Sequence, residues 1–450
     1  MLCITFCFLP VEKCLVCLIL QNSRLGVSLE FKLHYMAILR PFRGIRPLGA
    51  YASEVASRPY DVLNRAEARA EAAGHPLSFL HVIKPEIDLP DSVDEHDDRV
   101  YRLGAENFGR LLDEGVMKAD AGPCLYVDAQ TMDGRTQYGL VGCASVEDYR
   151  RNVIKKHELT RPDKEEDRRR HIRLSGYNYE PVFFAYPAVR AIDEIVAGVT
   201  AAPPVYDFVA EDGIGHRFWV ISEPEIIARL VALFASIPST YVADGHHRTA
   251  AAAGVGDELR QADPDSTGEE EYNYFLAVHF PENQLRIYDY NRVVKDLNGL
   301  DEAGFLKALA RNFEVQCCGT EPVRPARLHE FSMYLGGRWY VLTARPGTYD
   351  DSDPIGALDV TVLSNSVLDP VLGITDLRHS KRIDFVGGIR GLEELARRVD
   401  SGEMKVAFAL YPVSMQQLMN IADTGNIMPP KTTWFEPKLR SGLVVHSLRD

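Results

Sequence analysis

The chain has 450 residues, 46% of them hydrophobic and 25% charged, with a formal net charge of −14. This length admits two or three domains with a sizeable core. The acidic balance argues against a general grip on nucleic acid or an anionic membrane. The first 35 residues differ from the rest. "MLCITFCFLPVEKCLVCLIL" is apolar but broken by Pro10, Glu12 and Lys13, short of the roughly 18–20 apolar residues of a membrane span. It also lacks the basic start of a secretory signal. Met36 opens "MAILRPFRGIRP", which reads as the start of an ordinary domain, so residues 1–35 are expected to be a mis-assigned start or a disordered extension. Four of the eight cysteines fall there, Cys3, Cys7, Cys14 and Cys17. The C-x-x-C of Cys14 and Cys17 has no second pair, and zinc is not expected. The remaining Cys124, Cys143, Cys317 and Cys318 make no disulfide framework and fit a reducing, cytoplasmic compartment.

In chain order, the spacing of Val100, Leu103, Phe108, Leu111, Leu112 and Met117 predicts an amphipathic helix over 97–118. "CLYVDAQTMDGRTQYGLVGCASV" predicts a hairpin turning at Asp133-Gly134. Two charged helical pieces follow, parted near 159–162. "PVFFAYP" predicts a strand, and "PVYDFVAEDGIGHRFWVIS" a second hairpin around Asp212-Gly213. Ile226, Ile227, Leu230, Leu233 and Phe234 mark a helix. "GDELRQADPDSTGEEEY" reads as an acidic surface loop before the strands "NYFLAVHF" and "LRIYDYNRVV". From 299 onward come helices near 301–313, 357–368 and 391–399, strands near 331–343, and the apolar runs "MKVAFALYPV" and "GLVVHSL". The sum is an α+β protein of mixed sheets with packed helices. The expected domains are 36–298 and a C-terminal α+β subdomain, 299–450.

"YVADGHHRTAAAAG" (241–254) carries the chemistry. An apolar strand hands over to an alanine-rich helix through Asp244, Gly245, His246, His247, Arg248 and Thr249. Asp244 is expected to cap the helix, and Gly245 to allow close approach or an unusual backbone angle. The free N–H groups of the first turn and the helix dipole favour an anion, and Arg248 can fork onto phosphate or carboxylate oxygens. The bland alternative is a capped helix with satisfied polar groups. A second stretch, "IKKHELTRPDKEEDRRRHI", places Glu158 at an apparent helix end. Two readings stay open for it: a general base on a substrate hydroxyl, or a solvated helix face, which residues 163–170 fit with pairs such as Glu166–Arg170. Weaker candidates are "SRPYD" (58–61, with Ser57) and the Lys431, Thr432 and Thr433 of "MPPKTTWFEPK". There is no P-loop, dinucleotide fingerprint or G-x-S-x-G elbow.

"MAILRPFRGIRP", "SRPYDVL", "KKHELTRPDKEEDR", "YVADGHHRTAAA", "NSVLDPVLGI" and "MPPKTTWFEPKLRSGLVVHSL" resemble, in that order, the domain-of-unknown-function 1015 family, commonly described as ParB-like. The resemblance runs from about Met36 to the C-terminus. It implies a ParB/sulfiredoxin-like core with insertions. Within that fold, free-serine kinases carry a similar D-G-H-H-R before a helix and an upstream His-Glu pair, although the two motifs lie closer together there. Carried over, Asp244, Gly245, His246, His247, Arg248 and Thr249 form the phosphate and catalytic loop, and Glu158 is the base candidate. The resemblance implies a nucleotide-dependent phosphotransferase acting on a small hydroxyl compound such as serine, with ATP or ADP and Mg²⁺, Asp244 being a metal-ligand candidate. The alternatives are a nucleotide-binding ParB-like switch without group transfer, and a metal hydrolase built on Asp244, His246 and His247. Sulfiredoxins need a cysteine just before His-Arg; His246 and the neighbouring Gly245 stand there. No helix-turn-helix is evident, so DNA is not an expected partner, and neither is a membrane.

Overall fold

The computed structural model describes residues 36–449; the expectations for residues 1–35, including Cys14 and Cys17, lie outside them. Its largest element is an eight-stranded mixed sheet. Across the sheet the strands run Ile154–Lys155, Thr240–Asp244, Val182–Tyr186, Tyr274–Pro281, Arg135–Ser145, Leu125–Met132, Gly215–Ile221 and Tyr206–Val209. Two neighbouring pairs are parallel, Ile154–Lys155 with Thr240–Asp244 and Val182–Tyr186 with Tyr274–Pro281; the other neighbours are antiparallel. Both predicted hairpins are present. Their turns fall at Asp133-Gly134 and around Gly213, in left-handed backbone that Gly and Asp tolerate best.

The period of two along each strand divides the sheet's surroundings. Leu125, Val127 and Ala129 face helices Arg190–Thr200 and Pro224–Phe234, meeting Ile192, Leu230 and Phe234. Val182, Phe184, Val242, Phe275 and Ala277 meet Ala252 and Ala253 of helix His246–Ala262. The alternate residues Tyr126, Phe183, Tyr241, Ala243, Leu276 and Phe280 turn to the opposite face. There they share one continuous core with Val294, Phe331, Leu342, Val406 and Phe408 of a second, six-stranded antiparallel sheet. The sum is mixed α+β. Among the described residues no helix is long and apolar enough to cross a membrane.

Several expectations are corrected. The predicted 97–118 helix ends at Asp113, and Met117–Ala119 forms a strand paired with Ile45–Pro47. The "acidic loop" begins as helix, because His246–Ala262 runs on through Gly256-Asp257-Glu258-Leu259-Arg260 before breaking at Asp263. The first charged piece after Ser145 is a single turn, Val146–Arg150, and the chain then enters the two-residue strand Ile154–Lys155. Helix Pro162–Ser175 is charged as expected, but Arg170 pairs with Asp98 and Glu166 with Arg173 rather than with each other. "LRIYDYNRVV" divides: Ile287–Tyr288 pairs with Trp434–Phe435, whereas Tyr290–Val294 enters the six-stranded sheet. This split brings residues 428–438 back toward the first sheet.

Candidate functional site

The handover from strand to helix is made by Gly245 at φ 87°, ψ 34°, a left-handed conformation that costs an ordinary residue roughly 1–2 kcal/mol. A Cβ there would also lie 3.2 Å from Arg248 Nε. Gly245 is itself the cap position, and no side chain caps the helix. The expected Asp244 cap is therefore not formed: Asp244 is the last strand residue, and its carboxylate accepts from Lys438 Nζ at 3.2 Å and lies 3.8 Å from Arg248 Nη2. The first intrahelical bond runs from Thr249 N to Gly245 O, 2.9 Å, so the N–H groups of His246, His247 and Arg248 come before it. Thr249 is fully buried and donates its hydroxyl to the same carbonyl at 3.0 Å. It locks the turn and presents no hydroxyl to a ligand.

Glu158 does not end a helix. It sits in the loop between strand Ile154–Lys155 and helix Pro162–Ser175. The parallel register sets Thr240 beside Ile154 and Tyr241 beside Lys155, so the chain just beyond each strand emerges at one end of the sheet. Glu158 Oε2 comes within 3.9 Å of His246 Nδ1. His157, buried, meets the His246 ring edge to face at 4.5 Å. His157 Nε2 is 3.4 Å from Thr433 Oγ1, and its carbonyl accepts from Met428 N at 2.8 Å. His247 faces another way, its Nε2 accepting from the Arg161 backbone N–H at 3.0 Å. Arg248 is buried, donates to Pro181 O at 2.6 Å and lies 3.8 Å from Asp61 Oδ2.

Burial and neighbours set the charges. Burial pushes the Glu158 carboxyl above its ordinary range, Asp244 adding to this while Lys431, Arg378 and Lys438 oppose it. Burial lowers His157 to about 4 against the pull of Asp244. It takes His246 well below the usual imidazole range, with His157 adding to the effect. Both rings are neutral at pH 7. His247 is lowered as well, chiefly by burial. For Asp244, burial opposes ionisation, but Lys438 and Arg248 outweigh it and hold the carboxyl below its ordinary value. Burial likewise opposes the charge on Arg248, which Asp61, Glu180 and Asp244 restore. The result is an ionised acid beside two cations, and a second acid of raised proton affinity beside neutral imidazoles.

His246 and His247 diverge, and among the described residues no group of three or more His, Cys, Asp or Glu is placed to hold a metal. The joint Asp244–His246–His247 chelate of a metal hydrolase is not formed. A magnesium ion arriving with a nucleotide needs only one or two carboxylates, phosphates and water supplying the rest. Asp244, partly exposed, fits that lesser role.

Three contributors lay beyond the main motifs. Asp61, from "SRPYD", reaches Arg248. Thr433 and Lys438, from the last weak candidate stretch and its end, reach His157 and Asp244. Pro-rich punctuation was the only signal around them.

The mixed α+β fold thus sets an uncapped helix start bearing Arg248 beside Glu158, a carboxylate of raised proton affinity. The chain belongs to the family described as "Protein of unknown function (DUF1015)", whose pattern matches residues 39–361. A comparison with curated proteins finds no match. Among solved structures it is similar to a free serine kinase in complex with AMP, at 13% identity over 67% of this chain and 91% of that chain, TM-score 0.31. It is also similar to SbnI with C-terminal truncation from Staphylococcus aureus, at 12% identity over 68% and 87%, TM-score 0.37. A third is a conserved hypothetical protein from Pyrococcus furiosus, at 15% identity over 69% and 95%, TM-score 0.31.

Proposed function

We propose that the protein is a nucleotide-dependent phosphotransferase acting on a small hydroxyl compound such as serine, built on a ParB/sulfiredoxin-like core within 36–298 with a C-terminal subdomain from 299. The observation that carries this reading is the meeting of Glu158 with the Asp244–Arg248 turn. A phosphate is received by the free N–H groups of His246, His247 and Arg248, with the helix dipole behind them, and by the Arg248 guanidinium. ATP or ADP is the donor; Asp244 would hold a Mg²⁺ ion arriving with it, which would neutralise charge on its phosphates. The acceptor hydroxyl lies against Glu158. Its oxygen forms the new bond to phosphorus as its proton passes to the Glu158 carboxylate. The bond from phosphorus to the bridging oxygen breaks, and its electron pair stays on the departing nucleotide. A carboxylate of raised proton affinity suits this step, because the best base titrates near the working pH. The neutral His246 beside it adds no competing positive charge.

The test incubates the full chain with ADP or ATP, Mg²⁺ and a panel of amino acids and small alcohols. The expected result is a phosphorylated alcohol. Folded protein yielding no such product in any pairing overturns the reading, and tight nucleotide binding without transfer would favour a switch instead.

A further inference from the structure

The segment that follows strand Trp434–Phe435 meets the first sheet at a row of buried polar side chains. Three neighbouring strands set Gln137, Gln130 and His216 side by side in register. None of the three is more than 2% exposed. Gln137 Nε2 donates to Gln130 Oε1 at 3.0 Å, and Gln130 Nε2 donates to Lys438 O at 2.9 Å. Arg440 Nε donates to His216 Nε2 at 3.2 Å. The Lys438 N–H donates to Glu436 Oε2 at 3.1 Å. Both backbone groups of Lys438 are therefore pinned by side chains, whatever its ammonium does. Polar groups buried in a sheet destabilise it unless they are paired, and Gln137 Oε1 and His216 Nδ1 have no hydrogen-bond partner. Apolar residues would fill that space at lower free energy. What the row achieves is a fixed Lys438.

The ammonium so fixed stands at the Asp244–Arg248 turn. Lys438 Nζ lies 3.2 Å from Asp244 Oδ2, and Arg248 Nη2 lies 3.8 Å from the same oxygen. One carboxylate oxygen thus separates the two cations. Trp434 flanks the ammonium, its ring centre 5.1 Å from Nζ, and Glu436 Oε1 holds the indole Nε1 at 2.9 Å. Burial opposes the charge on Lys438, but Asp244, Asp61 and Glu436 outweigh it, and the group stays an ammonium. It has three N–H donors, and among the described residues Asp244 is its one hydrogen-bond partner. The Lys438 side chain is 19% exposed and that of Asp244 27%. A partly exposed ion pair adds little stability, too little to account for the buried polar row behind it.

We propose that Lys438 is a phosphate-binding residue, whose ammonium passes from Asp244 to a phosphate adjacent to the one held by Arg248, so that the ligand is a nucleotide with at least two linked phosphates. This rests on the phosphotransferase reading for the identity of the ligand, whereas the shared Asp244 oxygen is what places the two cations. Cations on either side of one oxygen suit two phosphates joined through one oxygen, each taking its own charged donor. With its backbone clamped, Lys438 need only turn about its side-chain bonds to exchange one oxygen partner for another.

The test measures ADP and AMP binding to the full chain by calorimetry, without divalent metal, in a double-mutant cycle of Asp244→Asn and Lys438→Met. A lysine that only neutralises Asp244 has no effect once that charge is gone. The expected result is that, in the Asp244→Asn background, Lys438→Met weakens ADP binding about ten- to a hundredfold, the size of a charge-assisted contact. AMP, with one phosphate, is much less affected, and Lys438→Arg keeps most of the ADP affinity. Urea midpoints check the fold, and Lys438→Gln takes the place of Lys438→Met should the latter not fold. ADP affinity indifferent to Lys438 in that background, or ADP and AMP weakened alike, overturns the inference. The parent reading fails separately. If ADP does not bind, inorganic pyrophosphate against inorganic phosphate runs through the same cycle. A preference for pyrophosphate that depends on Lys438 then leaves the pair of cations standing, and no binding of either anion overturns the inference as well. If ADP binds with this dependence on Lys438 and no phosphoryl transfer occurs, the function is wrong and the diphosphate site stands.

Discussion

Glu158 Oε2 lies 3.9 Å from His246 Nδ1 although three helices, three strands and a hairpin separate them in the chain. The two-residue parallel pairing of Ile154–Lys155 with Thr240–Tyr241 brings them together. If Glu158 takes the acceptor proton, Glu158→Gln should lower kcat for transfer by about 10²–10⁴-fold, the usual worth of a general base. Nucleotide affinity, set on the Arg248 side, should stay near its parent value. Steady-state kinetics with calorimetry on the same preparation checks both, and a variant with unaltered kcat removes Glu158 from the chemistry.

That proximity was the part of the site least legible in the sequence. The Asp244–Arg248 turn could be read from residue types, since an apolar run, a glycine and an alanine-rich run announce a strand, a left-handed hinge and a closely packed helix. The hairpins at Asp133-Gly134 and Gly213 were legible for the same local reason. A strand of two residues, Ile154–Lys155, leaves no periodicity to read, and its partner is chosen by sheet packing. Asp244 was misread as a cap because capping chemistry is local, whereas its actual partner, Lys438, is nearly two hundred positions distant in the chain. The helix Arg190–Thr200 went unnoticed, and only Ile192 of it is fully buried. Asp61 and Lys438 stood in Pro-rich turns, where a structural role and a site role look alike until the fold places them.

Arg248 is buried with its guanidinium shared between Pro181 O, Asp61 and Asp244. Arg248→Lys keeps one charge but loses the planar fork. It should weaken nucleotide binding by about tenfold or more and cost about 2 kcal/mol of stability, the worth of a charged hydrogen bond whose acceptors are left partly exposed. Calorimetry with ADP and urea unfolding measure the two effects. Full nucleotide affinity in this variant would place the phosphate elsewhere.

Gly245 stands at φ 87° with the Arg248 side chain against the position a Cβ would take. Gly245→Ala should cost about 1–2 kcal/mol for the left-handed backbone and displace the guanidinium. Gly245→Asn should be milder in stability, since Asn tolerates that region, yet equally harmful to nucleotide binding because its Cβ meets Arg248 all the same. Unfolding midpoints against ADP affinity in the two variants separate backbone strain from the steric effect. Parallel losses in both measures would leave strain as the sole cause.

Stability should fall in mild acid through buried histidines, and His279 gives the cleanest case. It is fully buried against Phe184 and Phe234, at ring distances of 5.4 and 4.9 Å, and neither ring nitrogen has a hydrogen-bond partner. Burial lowers it to about 3, whereas in the unfolded chain it titrates near 6.5. Between those values the unfolded state binds the extra proton, so stability rises with pH across the window. The contribution is complete above about pH 6.5–7 and is lost progressively as pH falls toward 3, amounting to about 2 kcal/mol between pH 7.5 and 5. His279→Phe, which suits the aromatic surroundings, should remove that share and flatten the pH dependence of the urea midpoint while leaving the value at pH 7.5 equal or higher. An unchanged slope between pH 7.5 and 5 would mean that His279 takes up its proton over the same pH range in the folded and unfolded chain.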